Sequence, residues 1–172
     1  MPYFYPDFHS IIKPHRLLTS AGNKMYEVDK ARIQLQFLSS QYKCAQLTRH
    51  WSPANPNGLC TSPQCYEFNV VESLDHILLS CPSYNTTRQN MVNLILKLPN
   101  PVSHKIAVTH LLSKNTFKIM QMLLDCTTIP EVIRSAQIHG EKVYEDLFYI
   151  GRTWCFAIHR ERMKRLQLWN FR

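Results

Sequence analysis

Four side chains within one short block constrain this chain more than any other feature. Cys60 and Cys65 are separated by four residues, His76 follows after ten more and Cys81 after another four, a C-x4-C-x10-H-x4-C pattern. Two thiols at the first spacing can close a tight knuckle around one ion, and Pro63 helps turn the chain between them. Glu72 to Leu79 reads as a short helix with Leu74, Ile77 and Leu78 inward. His76 then projects from it, and Cys81 lies just past its end. Pro82 blocks continuation, because it lacks an N–H and biases Cys81 away from helical angles. Three thiolates and an imidazole are a common structural Zn²⁺ set, closed to substrate. Such a site keeps a formal negative charge and welcomes basic neighbours. The competing reading makes Cys60, Cys65 and Cys81 ordinary thiols and His76 a satisfied helix histidine. Three of six cysteines converging on one histidine favour the metal. His50 competes as fourth ligand and ranks behind His76. Cys44, Cys126 and Cys155 sit near helix stripes or among apolar neighbours and read as core thiols.

Composition decides what surrounds this block. The chain has 172 residues, 45% of them hydrophobic, which is one domain's worth and not a disordered basic tail. No apolar run approaches the ~18 residues needed to span a bilayer. The opening carries Pro2, Pro6, Asp7 and His9 where a signal peptide needs an unbroken apolar stretch. The expectation is an intracellular, reducing setting with no membrane partner, where Cys/His clusters read as metal sites before disulfides. In that setting Asn85-Thr86-Thr87 is a chance sequon. The net charge of +8 is uneven: +4 over residues 1–57, −1 over 58–100, +2 over 101–140 and +3 over 141–172. Basic ends around a near-neutral middle suggest an anionic partner, and a merely basic soluble surface is the bland counterpart.

The predicted fold class is mainly α, a small zinc-stapled knuckle followed by a helical tail that ends in a long amphipathic helix. Residues 1–27, with Tyr3, Phe4, Tyr5 and Phe8, read as an extended lead-in and a truncated edge. Residues 28–57 read as a helix over 28–49, on the stripe Ala31, Leu35, Leu38, Tyr42 and Ala45, followed by a Pro-rich loop. Residues 58–82 are the knuckle, and 83–172 the helical region. There Ser83 is placed as the cap of a helix to about Leu98, and Ser103–Leu112, Thr116–Asp125 and Pro130–His139 follow, the last stopped by Gly140. The strongest signal is 141–168, where Val143, Leu147, Ile150, Trp154 and Ile158 recur at helical spacing, with acids at the start and Arg160, Arg162, Lys164 and Arg165 at the end. Trp154 reads as core. Trp51 and Trp169 flank basic residues, where they either stack on bases or seal the ends of a core.

No catalytic constellation is visible. Asp7, Asp29, Asp75, Asp125 and Asp146 are scattered, so there is no paired carboxylate for a two-metal polymerase or nuclease centre. Gly-rich phosphate loops, G-x-S-x-G and H-E-x-x-H are also missing. The expectation is a chain without its own active site and without a small-molecule substrate.

The run Val71-Glu72-Ser73-Leu74-Asp75-His76-Ile77-Leu78-Leu79-Ser80-Cys81-Pro82-Ser83-Tyr84, with Cys60, Cys65 and Arg88, resembles E-[ST]-x-x-H-[IL]-L-x-x-C-P-x-[FY]-x-x-x-R. That pattern marks the zinc-binding segment near the C-terminus of non-LTR (LINE-like) retrotransposon reverse transcriptases. The resemblance covers roughly residues 28–169 and is strongest over 60–88. It implies that Cys60, Cys65, His76 and Cys81 hold Zn²⁺, that no catalytic residue carries over, and that the chain is a remnant of a larger polymerase. It also implies a nucleic-acid-binding accessory role on RNA or DNA. The candidate phosphate contacts are Arg49, Arg88, Arg160, Arg162, Lys164 and Arg165. The alternative is an interaction module whose long helix docks on the polymerase portion of the same element.

Overall fold

The computed structural model describes residues 15–22, 24–49 and 54–166, and its organising element is the helix with the strongest sequence signal. The lead-in aromatics Tyr3, Phe4, Tyr5 and Phe8, the candidate ligand His50, and Trp51 and Trp169 lie outside the described residues. The helices in chain order are α1 (Arg16–Thr19), α2 (Met25–Leu38), α3 (Ala45–Thr48), α4 (Pro63–Tyr66), α5 (Asn85–Leu96), α6 (Pro101–Leu112), α7 (Thr116–Leu124), α8 (Pro130–His139) and α9 (Lys142–Arg165). A π-helical turn, His76–Ser80, and a 3₁₀ turn, Pro82–Tyr84, stand between α4 and α5. Among the described residues there is no strand, only an isolated antiparallel bridge between Leu59 and Val71. No helix among them is long and apolar enough to cross a membrane.

α9 is the axis of the core, with α2, α5, α6, α7 and α8 packed around it. The five positions of its predicted stripe are all at most 3% exposed, and Phe148, Gly151 and Cys155 widen the buried surface. The apolar face that the docking alternative would offer to a partner is therefore already covered by the chain's own helices. Polar ties add to the packing. Ser103 Oγ donates to Asp146 at 2.9 Å, and Trp154 Nε1 donates to the Leu78 carbonyl at 3.2 Å.

Local chemistry explains most boundaries. Asn100 and Asn115 accept from the first-turn N–H groups of α6 and α7, the role short polar side chains take at helix starts. Pro130 opens α8, and Gly140, at φ 86°, stops it. Other expectations are corrected. The predicted helix over 28–49 ends at Leu38, where Ser40 turns to φ 57° and the Gln36 carbonyl accepts from Gln41 and Tyr42. The buried face of α2 is Ala31, Ile33, Gln34 and Phe37, while Leu35 and Leu38 are only half-buried. Within the lead-in Arg16–Thr19 is helical and α2 starts at Met25, with Leu17 and Ala21 buried. Ser83 does not cap α5; it lies in the 3₁₀ turn, and its hydroxyl pairs with Ser62 Oγ at 2.7 Å.

Three helices meet at Gly151. Gln34 Nε2, on α2, donates to the Leu123 carbonyl of α7 at 2.7 Å directly over this residue. A Cβ there would sit 2.1 Å from that carbonyl oxygen and 2.5 Å from Gln34 Nε2. Gly151→Ala forces α2 and α7 away from the axis, and a loss of about 3 kcal/mol is expected in urea unfolding. Wild-type stability of that variant would show that the three helices do not approach this closely.

Candidate metal centre

The backbone of residues 55–81 is folded by its own hydrogen bonds before any metal is considered. Asn55 holds both the N–H and the C=O of Leu59, and Leu59 is bridged to Val71. Cys60 N–H donates to the Val70 carbonyl at 2.8 Å and Glu72 N–H to the Gly58 carbonyl at 2.9 Å. This closes the loop that carries α4, which starts at Pro63 and places Cys65 on its inner side. The second pair comes from the π-helical turn. Cys81 N–H donates to the His76 carbonyl at 2.7 Å, five residues back. An i→i+5 turn returns the chain to the same face after five residues, which aligns His76 with Cys81.

The structure brings together all four predicted ligands. Their donor atoms lie within 4.8 Å of one another and all four residues are buried. Cys60 Sγ is 3.8 Å from Cys81 Sγ, Cys65 Sγ is 3.9 Å from Cys81 Sγ, and Cys65 Sγ is 3.5 Å from His76 Nε2. No other such group of His, Cys, Asp and Glu is found among the described residues, and the set can hold a metal ion. His76 is oriented for this role. Ser80 Oγ lies 3.0 Å from Nδ1, and with Nδ1 as the donor Nε2 is the lone-pair nitrogen on the side of Cys65. The hydrogen bond between the two thiols together with burial pushes Cys60 up, and the same hydrogen bond pulls Cys81 down. Burial raises Cys65 as well. Cys44, Cys126 and Cys155 are buried thiols elsewhere in the core.

The six candidate nucleic-acid contacts divide into two groups. Arg49, Arg160 and Lys164 are exposed. Arg88, Arg162 and Arg165 instead face the metal block. Arg88 donates to the Cys81 carbonyl and to Asn85 Oδ1. Arg165 Nη1 lies 4.0 Å from Cys81 Sγ, and its guanidinium sits over the Tyr84 ring at 5.0 Å. Arg162 is 7% exposed and donates to Glu72 Oε1 at 2.6 Å. The physical reason is the path of α9, whose last turns cross the block and direct positions 162 and 165 inward and 160 and 164 outward.

Sequence reasoning placed Glu72 in a motif without a role. It is 1% exposed, and besides Arg162 it accepts from Ala45 N–H at 2.9 Å and pairs with Arg165 at 3.6 Å. The available signal was a lone carboxylate between Val71 and Leu74, together with arginines three apart at the end of an apolar stripe. Ser80, which orients His76, carried no comparable signal.

Compared with protein-family models, curated proteins and solved structures, the chain matches none.

Breaking one side of the buried pair leaves a charge without its partner. Glu72→Gln is expected to cost about 3–5 kcal/mol in urea unfolding, and Glu72→Gln with Arg162→Met less than the sum of the two single changes. Strict additivity would show that the two groups are not coupled.

Proposed function

We propose that the protein is a zinc-stapled nucleic-acid-binding module without an active site of its own, of the kind its zinc-segment pattern resembles in non-LTR retrotransposon reverse transcriptases. The observation that carries this reading is the buried Cys60, Cys65, His76, Cys81 set. Tetrahedral Zn²⁺, with Zn–S about 2.3 Å and Zn–N about 2.05 Å, implies edges of about 3.8 Å between sulfurs and about 3.6 Å from sulfur to nitrogen. The separations of 3.8, 3.9 and 3.5 Å agree with that figure. Four protein donors leave no open position for water or substrate, which favours a structural ion over a catalytic one. Three thiolates around Zn²⁺ leave negative charge, and Arg165 beside Cys81 Sγ is placed to balance it.

The nucleic-acid part of the reading rests on the net charge of +8 and on the exposed cations Arg49, Arg160 and Lys164. RNA or DNA is the partner. These contacts are to phosphate, so they give affinity with little sequence preference and a strong salt dependence.

One zinc per chain is expected by elemental analysis, with cooperative unfolding on chelation and loss of the ion in Cys81→Ser. A metal-free chain of equal stability would overturn the site. Replacing Arg160 and Lys164 by Gln is expected to flatten the slope of log K against log salt for a single strand by about 1.4, two phosphate contacts' worth. An unchanged slope would remove these residues from the interface.

A further inference from the structure

Arg165 is the last residue of α9, and the protein groups around it satisfy it only in part. Its side chain is 22% exposed, and its Nη2 lies 3.6 Å from Glu72 Oε2, too far for a hydrogen bond. The same carboxylate has a closer partner in Arg162, at 2.6 Å. Nε and Nη2 of Arg165 are buried without a hydrogen-bond partner, and so is the hydroxyl of Tyr84, over whose ring the guanidinium sits at 5.0 Å. The remaining nitrogen, Nη1, lies 4.0 Å from Cys81 Sγ, a long contact that the larger radius of sulfur permits.

The charges tell the same way. Two guanidiniums, Arg162 and Arg165, share the one carboxylate of Glu72, which leaves one positive charge over. Three thiolates and an imidazole around a divalent ion leave one negative charge. A set of two cysteines and two histidines would leave none, and the surplus guanidinium would then be partly buried without a counter-charge. The two surpluses meet at Cys81. Its backbone is held as well, since the Cys81 carbonyl accepts from Arg88 and from Tyr84 N–H, the latter at 3.1 Å. A ligand fixed on its backbone side and faced by a guanidinium on its sulfur side has little freedom to leave the ion.

We propose that Arg165 is an outer-sphere residue of the metal centre, whose Nη1–H donates to the Cys81 thiolate and couples the ion to the last turn of α9. This rests on the structural-ion reading above and deepens it. Arg165 is a positioning residue, because it touches the ligand and not the ion. Groups that hydrogen-bond a metal ligand orient it and tune its affinity, and losing one weakens metal binding about 10–100-fold. The coupling is reciprocal: an ion held more tightly with the end of α9 in place holds that end more tightly in return.

The test uses the full chain loaded with Zn²⁺ or with Co²⁺. In competition with a chelator, Arg165→Met is expected to hold Zn²⁺ about 10–100-fold more weakly than wild type, and Arg165→Lys, which keeps the charge, to recover part of the loss. In the Co²⁺ form, Arg165→Met is expected to move the sulfur-to-cobalt charge-transfer band to longer wavelength, because a thiolate without its donor gives up electron density more readily. The d–d bands of a four-coordinate ion are expected to stay. The band is read in Arg165→Gln as well, which removes the charge with less change in polarity, so the outcome does not hang on one variant folding. Lost helix packing alone lowers stability without moving that band. Wild-type Zn²⁺ affinity in the variants, or weaker affinity with an unmoved band, overturns the outer-sphere role and leaves the metal centre standing. A wild-type chain that takes up neither ion overturns both.

Discussion

The carboxylate of Glu72 and the guanidinium of Arg162 face each other at 2.6 Å with both side chains under a tenth exposed. Removing two such groups from water costs several kcal/mol each, and the cost is offset only when the geometry is good and the remaining polar atoms find partners. Here Ala45 N–H and Arg165 supply further contacts to the carboxylate, and the Tyr42 ring lies 5.6 Å from the Arg162 guanidinium. The pair acts chiefly on geometry. Glu72 is fixed by the Leu59–Val71 bridge, so Arg162 can reach it in only one setting of α9. A slip of one residue along the helix would turn Arg162 by about 100° and break the pair. The rest of the molecule inherits that setting. It places Trp154 under the Leu78 carbonyl, Gly151 under Leu123, and the last turn of α9 beside the thiols.

The basic end of α9 serves two environments at once. Arg162 and Arg165 face a cluster that carries negative charge once its thiols are deprotonated, and Arg160 and Lys164 face solvent. Arg88 completes the inward group from α5, through the backbone carbonyl of a ligand. Part of the positive charge at this end of the chain is thus taken up by the fold itself.

Much of this was legible from residues alone. The ligand spacing, the axis helix with its stripe from Val143 to Ile158, and the Pro130 and Gly140 boundaries all rest on local chemistry, and local chemistry decides them in the structure. The departures have a common origin in tertiary contacts. The stripe that starts Ala31, Leu35 and Leu38 is a sound helical period, but the approach of α2 to Gly151 keeps Ala31 and buries Gln34 and Phe37 in place of Leu35 and Leu38. Ser83 is a good capping residue, yet Ser62, opposite it across the knuckle, engages its hydroxyl. Arg162 looks like any arginine at a helix C-terminus until the carboxylate ninety positions earlier in the chain is placed beneath it.

The four candidate metal ligands and the contacts that lock them in place belong to different stages of synthesis. All four ligands lie between positions 60 and 81, so the set is complete long before α9 is made. The bonds that seal the centre come much later: Trp154 to Leu78 spans 76 positions, Arg165 to Cys81 spans 84 and Arg162 to Glu72 spans 90. On a chain emerging from the ribosome, an ion can therefore be captured by a small local loop while the thiols are still open to solvent. Closure of that loop by contacts so distant in sequence is slow, since each must first overcome the entropy of bringing remote segments together. For an ion held by these four residues, the topology puts the local loop first and its burial under α9 second.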